Sequence, residues 1–159
     1  MRRRGYDVQA MPLDYKNPYQ EKLSRDIRSG WRIPISGKVP NQVFYDGDDS
    51  EDGLIGWLEN SVKAGERYFL RVTWDRKEIG GHVVVVERDA KGVFIYDSQI
   101  DRDFRDYEIG LKYANNIHLT RKDAPGILRV DNLAPVQDAV DNVLVGVKKQ
   151  GRRRKNEQG

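Results

Sequence analysis

The sequence predicts an α+β fold, an antiparallel β-meander with helices before and after it. Three β-branched and aromatic runs, Arg67–Trp74, His82–Glu87 and Val93–Tyr96, follow one another closely, with connections too short for a parallel crossover. Ahead of them Leu54, Ile55, Trp57, Leu58 and Val62 recur at helical spacing, and behind them Val136, Ala139, Val140, Val143, Leu144 and Val147 do the same. The chain has 159 residues, 38% of them hydrophobic, which is the size of one ordinary domain with one core. We read 1–147 as that domain and 148–159 as a basic, disordered tail.

Taken in order, Met1–Gly5 reads as the C-terminal turn of a helix. Arginines suit the negative end of the dipole there, and Gly5 suits the left-handed cap. The body of that helix is expected upstream of Met1. Tyr6–Met11 reads as a short strand stopped by Pro12, and Gln20–Arg28 as a short helix ended by Gly30. Trp31–Gly47, broken by Pro34, Gly37, Pro40 and Gly47, reads as loop. Ser50 is placed as the N-cap of a helix closed by Gly65. Gly80-Gly81 and Asp89-Ala90-Lys91-Gly92 are the turns of the meander. Beyond it we expect a helix over Asp106–Asn116, strands over Ile117–Arg121 and Ile127–Val130 joined at Asp123–Gly126, and an amphipathic helix over Pro135–Val147.

The net charge of +3 misleads until the charges are located. Residues 148–159 contribute +5 and Arg2, Arg3 and Arg4 another +3, which leaves −5 for everything between. An acidic body argues against a nucleic-acid-binding domain, although its basic ends allow weak, nonspecific and salt-sensitive contact. No apolar run approaches the roughly 20 residues that span a bilayer, and no apolar segment follows the N-terminal arginines as a secretory signal requires. There is no cysteine, which rules out disulfides, thiolate metal sites and a cysteine nucleophile within these residues. Two histidines, His82 and His118, are too few for a multi-histidine metal centre. No cofactor is expected. Asp46, Asp48, Asp49, Glu51 and Asp52 lack the ligand order of a calcium loop and read as a solvated loop leading into an N-cap.

Chemistry concentrates at one place. His82 opens a strand and Asp97 closes the next, so a hairpin brings them to the same rim of the sheet. A carboxylate beside an imidazole fixes its tautomer and stabilises its cation, as a general base requires. Gln99 lies two residues beyond Asp97. Taken alone, a histidine at a strand start is also an ordinary capping residue, and an aspartate at a strand end is ordinary turn chemistry. His118, with no acidic residue near it in the sequence, is expected to be structural. Trp31, Trp57 and Trp74 are expected to fill the core or line a groove wall. No serine occupies a nucleophile-elbow sequence.

Arg3-Arg4-Gly5-Tyr6-Asp7-Val8, then Gly81-His82-Val83, then Phe94-Ile95-Tyr96-Asp97-Ser98-Gln99 together resemble the papain-fold toxin family. These are glutamine-deamidase-like or peptidase-like domains at the ends of bacterial polymorphic toxins, with similar domains at the C-terminus of phage minor head proteins. Leu119-Thr120-Arg121 through Arg129-Val130-Asp131-Asn132-Leu133 resembles the family's closing strand and its Arg-x-Asp-Asn-Leu-like signature. The resemblance implies a papain-like fold and a Cys–His–Asp triad, with His82 as the histidine, Asp97 as the aspartate, and Gln99 in the Asp-x-Gln part of the motif. The cysteine has no match here and would fall upstream of Met1, on the helix whose N–H groups would also form the oxyanion hole.

The resemblance therefore implies a papain-like cysteine amidohydrolase that lacks its nucleophile in these residues, and the chain as given is expected to be inactive. Its partner would be a protein substrate, or a phage or toxin protein to which it belongs. Its location would be the bacterial cytoplasm, or a virion or delivered toxin. Two alternatives stand beside it. One is a non-catalytic binding or accessory domain of a phage structural protein; the other is an unrelated α+β domain touching nucleic acid through its ends.

Overall fold

A computed structural model describes residues 8–10, 14, 16–48, 50–75, 81–119 and 122–146. The segment read as a helix C-cap, the Gly80 half of the glycine pair, and the basic tail lie outside these residues, as does Val147.

In chain order the strands and helices are β1 (Val8–Ala10), α1 (Pro18–Arg25), β2 (Trp31–Arg32), β3 (Val43–Phe44), α2 (Glu51–Ser61), β4 (Arg67–Thr73), β5 (Gly81–Asp89) and β6 (Gly92–Asp97). Then come β7 (Arg102–Arg105), α3 (Tyr107–Lys112), β8 (Gly126–Arg129), β9 (Ala134–Pro135), α4 (Gln137–Val143) and β10 (Leu144–Gly146). Six strands form one antiparallel sheet in the order β3-β8-β4-β5-β6-β7. β1 pairs with β10 and β2 with β9, also antiparallel.

The expected meander is present as β4, β5 and β6, with β5 running two residues past its expected end at Glu87, to Asp89. Its four valines are consecutive because both faces of the sheet are covered. On one face Leu70, Val72, Val84, Val86, Val93, Ile95 and Ile127 pack against Leu54, Leu58 and Val62 of the α2 region and against Ile109 and Tyr113. On the other, Phe69, Val83, Leu128 and Val130 pack with Ile27, Trp31 and Leu133. Burying one such side chain contributes about 1.5–3 kcal/mol, so the two faces together dominate the fold.

Ser50 caps α2 as expected, its Oγ accepting from Gly53 N–H at 2.9 Å. The helix stops at Ser61, however, and Gly65 turns the chain separately at φ +82°. Arg88 fixes that end. Its guanidinium donates to the carbonyls of Val62 (2.7 Å) and Glu59 (2.5 Å) and pairs with the Glu59 carboxylate. A cation on the last carbonyls is the arrangement the helix dipole favours. Glu59 also accepts from Val93 N–H at 3.1 Å, so one arginine and one glutamate clamp α2 to β5 and β6.

Several expectations are corrected. The first helix starts at Pro18, because the Asn17 side chain accepts from the N–H groups of Tyr19 and Gln20, and it ends at Arg25. Asp26 is extended and starts a separate 3-10 turn over Ile27–Gly30. The stretch read as loop contains β2 and β3. Asp106–Asn116 is not one helix: α3 ends at Lys112 and a 3-10 turn covers Ala114–Asn116. Among the described residues Ile117–Arg121 supplies only a single bridge, Ile117 to Trp74. The final amphipathic segment is helical only to Val143, where Leu144–Gly146 leaves the helix to pair with β1. β-branched residues there fit a strand as well as a helix stripe, and the pairing decides.

The Arg129–Leu133 stretch has a structural role. Asp131 Oδ1 accepts from Arg67 N–H and from Arg129 Nε, both at 3.0 Å. The Asp131 carboxyl is buried, which pushes its pKa up, but the Arg129 and Arg67 hydrogen bonds outweigh this and hold it below the ordinary value. It ties the end of β8 to the start of β4.

Candidate functional site

β5 pairs with β6 from Asp89–Gly92 to Val85–Tyr96, and there the ladder stops. Beyond that point β5 continues along β4, with His82 opposite Val72. His82 shares a face with Val84 and Val86, and Asp97 with Val93 and Ile95, since alternate residues of a strand point the same way. That face is the helix-covered one. At its rim His82 Nε2 lies 2.7 Å from Asp97 Oδ2, and the two side chains are only 10% and 5% exposed.

Asp97 is held from three directions. Besides His82, its Oδ1 accepts from Gln99 N–H at 3.0 Å and its Oδ2 from the Tyr113 hydroxyl at 3.3 Å. Burial pushes its pKa up, yet these hydrogen bonds and the imidazole together keep it below the ordinary carboxylate value. An ionised carboxylate only accepts, so Nε2 carries the proton and Nδ1 of the neutral ring keeps its lone pair. Tyr113 moves the opposite way. Its burial, and the negative charge of Asp97 beside it, raise the phenol pKa well above the ordinary range, so it remains a donor.

Aromatic rings enclose the pair. Trp74 is stacked against His82 (6.0 Å between centroids, 22° between planes) and against Tyr113 (6.1 Å, 17°). Phe104 of β7 meets Tyr113 edge-on at 5.7 Å. Such packing limits the imidazole to one plane and keeps water from the Asp97 side.

Of the three residues singled out from sequence, the structure brings His82 and Asp97 together. Gln99 contributes its backbone N–H, while its side chain is exposed. His118 does have an acidic partner, contrary to expectation. Its Nδ1 lies 2.9 Å from Asp75 Oδ1, and His118 N–H to Thr73 O (3.0 Å) with Asp75 N–H to Asn116 O (2.9 Å) completes the junction. Asp75 is remote in sequence and could not be matched to His118 without the Trp74–Ile117 bridge. Tyr113 was missed for the same reason. Of the tryptophans, Trp31 packs on Phe69 and Trp57 on Tyr45, while Trp74 walls the site.

Asp48, in the acidic loop, accepts from Ser50 Oγ at 2.5 Å and its carbonyl from Tyr45 OH at 2.6 Å. Among the described residues no three of His, Asp and Glu converge as metal ligands, and no helix is long and apolar enough to cross a membrane. Compared with known protein families, curated proteins and solved structures, the chain matches none of them.

Proposed function

We propose that this chain carries the histidine–aspartate half of a papain-like cysteine amidohydrolase, a protein glutamine deamidase or peptidase, as in the toxin and phage head domains it resembles. The observation that carries the reading is the buried His82–Asp97 contact of 2.7 Å, made through Nε2. It leaves Nδ1 as the nitrogen available to a nucleophile, with no partner among the described residues.

The chemistry follows. The nucleophile is a cysteine that the 159 residues do not contain. Nδ1 takes its thiol proton, and the thiolate attacks a carboxamide or peptide carbonyl carbon. Asp97 stabilises the imidazolium, which then protonates the departing ammonia or amine. Water, deprotonated at the same Nδ1, cleaves the thioester and restores the thiol. A positioned base of this kind contributes about 10²–10⁴-fold to the rate, and Trp74 and Tyr113 supply the positioning.

A second reading, a binding or accessory domain of a phage structural protein, is favoured by a separate observation. Ile33, Ile35, Val39, Val43 and Phe44 are all exposed within one short stretch, more apolar surface than a solvated loop needs.

Extending the chain through its upstream coding sequence separates the two. The enzyme reading expects a cysteine that iodoacetamide alkylates faster at neutral pH than a free thiol, an advantage lost in His82→Ala, together with ammonia release from a glutaminyl protein. An extended chain with no cysteine, or an inert one and no release, favours the binding domain.

A further inference from the structure

Among the described residues three buried side-chain polar atoms make no hydrogen bond: Gln42 Nε2, Arg71 Nε and Thr73 Oγ1. All three lie on one side of the sheet. Arg71 and Thr73 are two apart on β4 and share a side of the sheet, the side away from Leu70, Val72 and the His82–Asp97 pair. Gly126 of β8 stands opposite Arg71, and Gly81 of β5 stands opposite Thr73, so each has a cross-strand neighbour without a side chain. The Gln42 amide fills the space over Gly126, its Nε2 only 2.2 Å from where a Cβ would be. The Arg71 guanidinium leans toward Gly81, with Nη2 3.9 Å from the corresponding Cβ position.

Buried donors without acceptors are rare in folded proteins, and a group of them calls for a cause. Arg71 makes no ion pair among the described residues. Asp26, whose carboxylate it helps keep ionised, is already bound by the Arg28 guanidinium through both oxygens. We propose that this patch binds a phosphate group, with Arg71, Thr73 and Gln42 donating to three of its oxygens. The arginine fork is the usual anchor for such an oxyanion. A phosphate offers each of the three donors its own oxygen, whereas a carboxylate has to share one oxygen between two of them. Gln42 immediately precedes the exposed edge pair Val43–Phe44, so a rotamer change there opens the approach to Arg71. The site is independent of the proposed catalytic pair, which occupies the other face.

The test is a titration of the isotope-labelled chain, following the Arg71 Nε–H resonance. Inorganic phosphate, phenyl phosphate and acetate are compared at constant ionic strength set with chloride. The expected result is a saturable shift with phosphate, with phenyl phosphate or with both, and a weaker one with acetate. Thr73→Val and Gln42→Leu should each weaken binding by roughly 3–10-fold, the loss of one hydrogen bond. Saturation by phenyl phosphate alone identifies a phosphate monoester as the source; saturation by both identifies the free anion or a terminal phosphate. Shifts no larger than those of chloride, or binding unchanged in both variants, would overturn the proposal. Both substitutions are small, and the unchanged His82 and Trp74 resonances report that the fold is intact.

Discussion

His82 meets Asp97 on the diagonal of a hairpin rather than directly across it. The paired register ends with Val85 opposite Tyr96, and continuing it would set Val84 against Asp97, one side-chain repeat away from His82. Diagonal neighbours on one face are within reach of a long or aromatic side chain, and the imidazole spans the gap to 2.7 Å. The contact therefore depends on β5 outrunning β6, and on Asp97 being the last residue of its strand.

Removing the carboxylate strands two buried donors, His82 Nε2–H and the Tyr113 hydroxyl. Each unsatisfied donor costs about 1–3 kcal/mol, so Asp97→Ala should lower stability by roughly 2–5 kcal/mol in urea unfolding. In a cycle with His82→Ala the coupling should be about 1–3 kcal/mol. Additive effects would show that the pair does not interact.

The pKa of Asp97 is depressed in the folded chain. Its contribution to stability is therefore complete above the unfolded carboxylate value of about 3.9, and is lost as pH falls through the folded value. Wild type should exceed Asp97→Asn in stability at about pH 5, by a margin that shrinks as the pH falls below about 4. Unfolding curves of both proteins between these limits measure it. A margin that grows as the pH falls below about 5 would contradict the assignment.

Gly81 precedes His82 where a Cβ would stand 2.8 Å from the Val72 carbonyl oxygen. Backbone cannot yield as a flexible side chain does, so Gly81→Ala should cost about 1–3 kcal/mol. It should also displace the His82 ring resonances. Unchanged stability together with unchanged His82 signals would show that the close approach is unimportant.

Arg88 holds the C-terminal carbonyls of α2 against the sheet. Arg88→Met keeps most of the stem and loses the charge-assisted hydrogen bonds, so it should cost about 1.5–3 kcal/mol. Hydrogen exchange should quicken in the last turn of α2 and at Val93, whose N–H is bound by Glu59. Loss of protection spread evenly over the sheet would point to a different role.

What the sequence revealed of this fold follows from which residues are buried. The β4–β6 meander was legible because four valines in a row, bounded by glycine turns, fit a strand covered on both faces. β7 was not, since Arg102–Arg105 buries only Phe104. Its arginines cover rings instead, Arg102 over Phe104 and Arg105 over Phe94. β1, β2, β3, β9 and β10 have two or three residues each, too short for any alternation. At the site, the proximity of His82 and Asp97 was readable from hairpin geometry. Tyr113 and the Asp75 partner of His118 were not, because both arrive by the long-range packing of α3 and the Trp74–Ile117 bridge.

In the proposed mechanism Asp97 holds Nε2–H and leaves Nδ1 as the base. Nitrogen NMR of the His82 ring, recorded with the imidazole neutral, measures this directly. A single Nε2–H tautomer is expected, with an unprotonated Nδ1 and a slowly exchanging, strongly deshielded Nε2 proton that disappears in Asp97→Ala. A proton on Nδ1, or the averaged signals of a freely exchanging ring, would contradict it.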